Sequence, residues 1–180
     1  MPEMDATIKL VGPEDFADLL PLVRAYCDFY EANPDDRDLL ALFGSLVEDP
    51  AHEGVQLLAR SQAEEPVGFA TLYWTWSTTR AARIGVMEDL FVTPSARGAG
   101  LAEALIGQCA EQCRRSGAEL LSWQTAPDNQ RAQRVYDRVG AAREQWVDYT
   151  LPVRTPTPRQ GAGKQIGGVP AAGAPGKAAH

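Results

Sequence analysis

Apolar residues change their spacing several times along the chain, and each change marks an element. Ile8 to Val11 is a short apolar run that predicts a first strand. Gly12-Pro13-Glu14-Asp15 then starts a helix, with proline near the first turn and acids against the positive end of the dipole. Phe16, Leu19, Leu20, Val23, Tyr26, Cys27 and Tyr30 recur at helical spacing until Asn33-Pro34 breaks it. Leu39, Leu40, Phe43, Leu46 and Val47 form the stripe of a second helix over Arg37 to Val47. Strand-like runs follow at Val55 to Ala59, Val67 to Trp76 and Ala81 to Val92, separated by turns at 63–66 and 77–80. A helix from about Gly98 to Arg115 is closed by Ser116-Gly117, and Leu120 to Gln124 is the next strand. Asp128 is placed to cap a helix that runs to Arg138 and ends at Gly140, and Glu144 to Leu151 predicts a last strand. This order predicts an α/β (α+β) domain around one mixed sheet, over residues 5–151.

Composition adds a boundary and removes several functions. From Pro152 the chain is rich in Gly, Pro and Ala with almost nothing to bury, so residues 152–180 are expected to be a disordered tail. The tail carries four basic residues and no acid, while the whole chain has a net charge of −7. The body is therefore more acidic still, which argues against a nucleic-acid groove and is compatible with a cationic substrate. No apolar run is long enough to span a bilayer, so no membrane partner is expected. MPEMDATIKL lacks the basic start and apolar stretch of a secretory signal. Cys27, Cys109 and Cys113 are an odd set without zinc-type spacing. The expectation is a cytoplasmic protein with reduced, mostly buried thiols and no metal.

The most informative stretch is residues 88–105, EDLFVTPSARGAGLAEAL, a strand that passes through a small-residue turn into an amphipathic helix. Arg97, Gly100 and Ala102 open the helix with little bulk, so backbone N–H groups are presented at its N-terminus, a site suited to phosphate oxygens. A nucleoside-triphosphate loop would need Lys-Ser or Lys-Thr after its glycines, and Gly100 is followed by Leu101-Ala102-Glu103. A dinucleotide fold would need a third glycine after Gly98-x-Gly100 and a place after the first strand.

Two motifs in order, Val92-x-Pro94-x-x-Arg97-Gly98-x-Gly100-x-Ala102 and Asn129-x-x-Ala132-x-x-x-Tyr136-x-x-x-Gly140-Ala141, resemble the GNAT family of N-acetyltransferases. Asn129, Ala132 and Tyr136 share one face of their helix. Within the family, the diamine acetyltransferase branch is similar in the stretch from Tyr73 to Thr78, in Glu88 to Val92, and in Trp146-x-x-Tyr149-x-Leu151. The resemblance implies a mostly antiparallel sheet that splays at an acetyl-CoA site. It implies direct acetyl transfer to a diamine, polyamine or lysine-like amino acid, without an acyl-enzyme or a metal. It also implies a homodimer joined through the C-terminal strand. Aminoglycosides, protein amino groups and a non-catalytic acyl-CoA sensor are the alternatives.

The same resemblance assigns roles. Arg97, Gly98, Ala99, Gly100, Leu101 and Ala102 would bind the pyrophosphate, and Leu90, Phe91 and Val92 would pair with the pantetheine amides. Tyr136 would protonate the departing thiolate. Asn129 would hydrogen-bond the pantetheine arm or fix the helix start, with Asn129 free for ligand because Asp128 suits the cap, and Ala132 would lie beside it at the cofactor. Glu88 is the candidate base, through a water. Glu88 and Asp89 point to opposite faces of a regular strand, so both reach one pocket only across a bulge. Asp89 would orient Glu88 or hold a second ammonium. Tyr73, Trp74, Trp76 and Trp123 are either walls for a cationic chain or ordinary core.

Overall fold

A computed structural model describes residues 6–153. Five strands form one sheet in chain order: β1 (Thr7–Leu10), β2 (Gly54–Arg60), β3 (Pro66–Ser77), β4 (Ala82–Val92) and β5 (Leu121–Ser122). All neighbours are antiparallel except β4 and β5, which are parallel. The helices are α1 (Phe16–Phe29), α2 (Asp36–Glu48), α3 (Leu101–Ser116) and α4 (Gln130–Arg138).

Strand alternation sorts the core into two layers. Leu58, Phe69 and Phe91 point to one face and meet Leu19, Leu22 and Val23 of α1 and Leu39 and Phe43 of α2. Leu57, Ala70, Leu72 and Val92 point to the other and meet Leu101, Leu105, Ile106, Cys109 and Cys113 of α3. With both faces covered, β2 is buried at nearly every position, which is why it reads as an unbroken apolar run. Gly85 lets α3 lie close on β4, since a Cβ there would stand 2.5 Å from the Cys113 sulfur. Cys109 and Cys113 are buried free thiols, as their shared helix face implied.

Three details depart from expectation. Asn129, not Asp128, is the N-cap of α4. Its Oδ1 accepts from the N–H of Ala132 at 3.1 Å, because the helix begins only at Gln130 and a cap side chain must stand one residue before it. The strand expected at Leu120 to Gln124 is reduced to Leu121–Ser122. The strand expected at Glu144 to Leu151 does not form: residues 141–153 carry no strand, and Trp146, Tyr149 and Leu151 are 80%, 93% and 83% exposed. Alternation alone does not make a strand, and the two-residue β5 offers this segment no edge to pair with. Most of the expected tail, from residue 154 on, lies outside the described residues.

Candidate active site

The site begins at an irregularity in β4. Thr71 pairs with Asp89 and Leu72 pairs with Met87, so Glu88 is an extra residue in a β-bulge. Met87 and Leu90, three apart, both pack toward α3. Glu88 and Asp89 between them therefore share the opposite face. Tyr73 feels both charges on that face, and burial together with those charges pushes its hydroxyl well above the ordinary phenol value.

Asp89 is enclosed while Glu88 is exposed. The residue as a whole is half-buried, but its carboxylate lies inside. Burial pushes its pKa up from 3.8 to about 6; the hydroxyls of Thr71 and Tyr26 donate to it and oppose the rise, and the charge of Glu88 adds to it. Behind Thr71, the buried Gln56 amide donates to the Thr71 hydroxyl at 3.2 Å. On α1, Tyr26 stacks edge-on against Tyr30, with ring centres 4.9 Å apart, and the two hydroxyls also interact.

Beyond the bulge β4 loses its second neighbour. Pairing with β5 covers only Gly85 and Val86, so from Met87 onward the far edge of β4 has no strand beside it among the described residues. Leu90, Phe91 and Val92 lie along this open edge. The gap joins the two faces of the sheet. On the α3 side stands Tyr136 of α4, packed edge-on against Trp123 with ring centres 5.2 Å apart. Burial raises the Tyr136 pKa, the nearby Tyr30 adds to this, and a hydrogen bond with Thr125 opposes it. Tyr30 thus lies in the field of Tyr136 and also touches the tyrosine that holds Asp89. A phenol held protonated suits donation to a thiolate.

At the end of β4 a turn over Pro94–Ala96 leads to Arg97, whose Nε donates to the Val92 carbonyl at 2.9 Å. Gly98 and Gly100 have φ of 89° and 82°, a left-handed conformation that favours glycine. A Cβ at either would meet no protein atom within 4 Å, so the constraint is the backbone's and the space beyond is open. Gly100 caps α3, and the N–H groups of Leu101 and Ala102 have no acceptor within the helix. Val92, Arg97, Gly98, Gly100, Leu101 and Ala102 line one cleft of about 290 Å³.

A model of the acetyltransferase (GNAT) family matches residues 19–141. The chain belongs to the GNAT family. It is 32% identical over 147 residues to the uncharacterized N-acetyltransferase YhfO of Bacillus subtilis (strain 168), covering 81% of this chain and 97% of that one. It is 27% identical over 132 residues to the thialysine N-epsilon-acetyltransferase of Caenorhabditis elegans, covering 73% and 80% of the two chains. A crystal structure of a probable acetyltransferase superposes with a TM-score of 0.72 at 25% identity, covering 83% of this chain and 99% of the other. The GNAT chain is accordingly an acetyl-CoA-dependent N-acetyltransferase with the mixed, mostly antiparallel open sheet of its family.

The other GNAT positions lie as follows. Ala99 is half-buried beside the cleft. Ala132 is half-buried on α4, and the Asn129 Oδ1 accepts the cap bond, which leaves its amide N–H groups and the second lone pair of the oxygen for a ligand. Trp74 points away from Tyr73, toward the α3 layer, where its Nε1 donates to the Pro50 carbonyl at 2.9 Å and Arg83 sits 5.0 Å over its ring. Trp76 is 74% exposed. Tyr26, Tyr30, Thr71, Arg131 and Arg134 were missed as site residues. The two tyrosines read as part of an apolar helix stripe, although two phenol hydroxyls at i, i+4 spacing on that stripe were a signal. Among the described residues no cluster of three or more His, Cys, Asp or Glu could hold a metal ion, and no helix is long and apolar enough to cross a membrane.

Proposed function

We propose that the enzyme acetylates a small cationic amine: a diamine, a polyamine or a lysine-like amino acid. The observation that carries this is the bulge, which turns the carboxylates of Glu88 and Asp89 to one face beside the gap in the sheet. Two adjacent carboxylates, one fixed by Tyr26 and Thr71, suit a substrate with more than one positive charge.

In this reading acetyl-CoA lies on the α3 side. Its pyrophosphate rests on Arg97 to Ala102 and its pantetheine amides pair with Leu90 to Val92, as an added strand would. Asn129 and Ala132 border the arm. The amine enters from the α1 side past Tyr73 and reaches the thioester beside Trp123 and Tyr136. Glu88 takes the ammonium proton through a water while Asp89 holds the charge of the chain. The freed nitrogen bonds to the acetyl carbon, the carbon–sulfur bond breaks, Tyr136 donates its proton to the departing sulfur, and the second proton shed by the acetylated nitrogen returns to Tyr136 through water. The exposed Val147, Tyr149 and Leu151 alternate like a strand without a partner, which supports a homodimer paired through residues 144–151.

Coenzyme A release, followed with spermidine, putrescine, lysine, thialysine and an aminoglycoside side by side, tests the substrate class. Turnover is expected with the diamines or lysine-like acceptors. Turnover with the aminoglycoside alone would overturn the proposal.

A further inference from the structure

One face of α4 is a ladder of arginines. Arg131, Arg134 and Arg138 are three and four residues apart, so they stack on one side of the helix, with Tyr136 turned about 140° from Arg131. All three line the cleft that Arg97 and the start of α3 also line. Four guanidinium groups therefore face one space, in a chain whose net charge is −7. Among the described residues only Arg138 is neutralised there, by Glu103, to which its Nε donates at 2.9 Å. No ion pair is made by Arg131 or Arg134 among the described residues, and both are exposed at the cleft mouth. Burial lowers the Arg97 pKa, and the facing charge of Arg131 lowers it further. Like charges held together this way repel unless an anion lies between them.

The pyrophosphate alone does not account for this much charge. It carries about two negative charges, and Arg97 with the N–H groups at the start of α3 already matches them. Arg131 and Arg134 are left over. A second, separate phosphate monoester, with about −1.5 to −2 charge at neutral pH, is the anion that fits two further guanidinium groups. We infer that Arg131 and Arg134 form a subsite for the ribose 3′-phosphate of the acyl carrier, so that the enzyme distinguishes CoA from its 3′-dephospho form. This rests on the reading that residues 97–102 hold the pyrophosphate of acetyl-CoA.

Calorimetry with CoA and 3′-dephospho-CoA, on the wild type and on Arg131→Gln/Arg134→Gln, tests it. Both side chains are exposed, so the double variant is expected to keep its fold, and a thermal melt checks this. The wild type should bind CoA about tenfold tighter than 3′-dephospho-CoA, an effect that shrinks in high salt. In the double variant the ratio of the two Kd values should fall to about one. Wild-type binding that ignores the 3′-phosphate would overturn the inference and leave the pyrophosphate reading standing. A double variant that weakens both ligands alike, with the ratio kept, would overturn it too and place the two arginines on the pyrophosphate. Failure of the wild type to bind either ligand would sink both readings.

Discussion

Replacing Asp89 with asparagine should stabilise the protein at alkaline pH while damaging its use of amine. The carboxylate has a pKa of about 6 in the fold, against 3.8 for an ordinary aspartate. The folded state thus prefers the protonated form. Below about pH 3.8 both folded and unfolded chains carry the proton, and the preference has no effect on stability. As pH rises from 3.8 the unfolded chain ionises first, stability falls, and the fall is complete once pH passes about 6. At about 1.4 kcal/mol per pKa unit, the full penalty is about 3 kcal/mol. Asparagine keeps an acceptor for the Tyr26 and Thr71 hydroxyls and never carries the charge. Urea titrations of both proteins between pH 4 and pH 8 isolate this group, because every other carboxylate is common to the two. The variant's advantage should grow with pH toward about 3 kcal/mol at pH 8, or roughly 6–12 °C in melting temperature. A difference that does not change with pH, or a variant less stable at pH 8, would refute the reasoning. The same group should appear in catalysis: the wild-type KM for amine should fall as pH rises through about 6, and the variant should lose that dependence.

Tyr136→Phe should lower kcat about a hundredfold or more with acetyl-CoA affinity nearly kept, read by steady-state rates and calorimetry together. Equal loss of both would make Tyr136 a packing residue against Trp123. Gly100→Ala places a Cβ on a φ of 82°. It should cost about 1–2 kcal/mol in denaturant titration, and it should weaken acetyl-CoA binding by about tenfold if phosphate oxygens approach this backbone. Asn129→Ala removes the cap bond to Ala132 and should cost about 1 kcal/mol, whereas Asn129→Asp should restore it.

Much of this architecture is written in local pattern. The turn from Arg97 to Ala102 was legible because two left-handed glycines and an alanine at a helix start leave few backbone alternatives. β2 and the first part of β3 were legible because burial on both faces makes continuous apolar runs. The bulge at Glu88 was not legible. Apolar alternation does not say which strand carries an extra residue, and only the register against Thr71 and Leu72 reveals it. Asp128 and Asn129 are both competent caps one residue apart, and the turn over 126–129 decides between them, with the Asn129 N–H bonded to the Ala126 carbonyl at 3.0 Å. Residues 144–151 have strand periodicity but no strand paired to them among the described residues, and pairing is a property of the assembly, not of the segment. The arginine ladder on α4 has no signature in the sequence that separates it from a solvated helix face, because its role depends on the cleft it shares with the start of α3.

The most direct test of the account is calorimetric titration of the wild-type protein with acetyl-CoA. If the main chain from Arg97 to Ala102 cradles the pyrophosphate beside the open edge of β4, association is expected in the micromolar range and should weaken with added salt. No association at millimolar acetyl-CoA would contradict it.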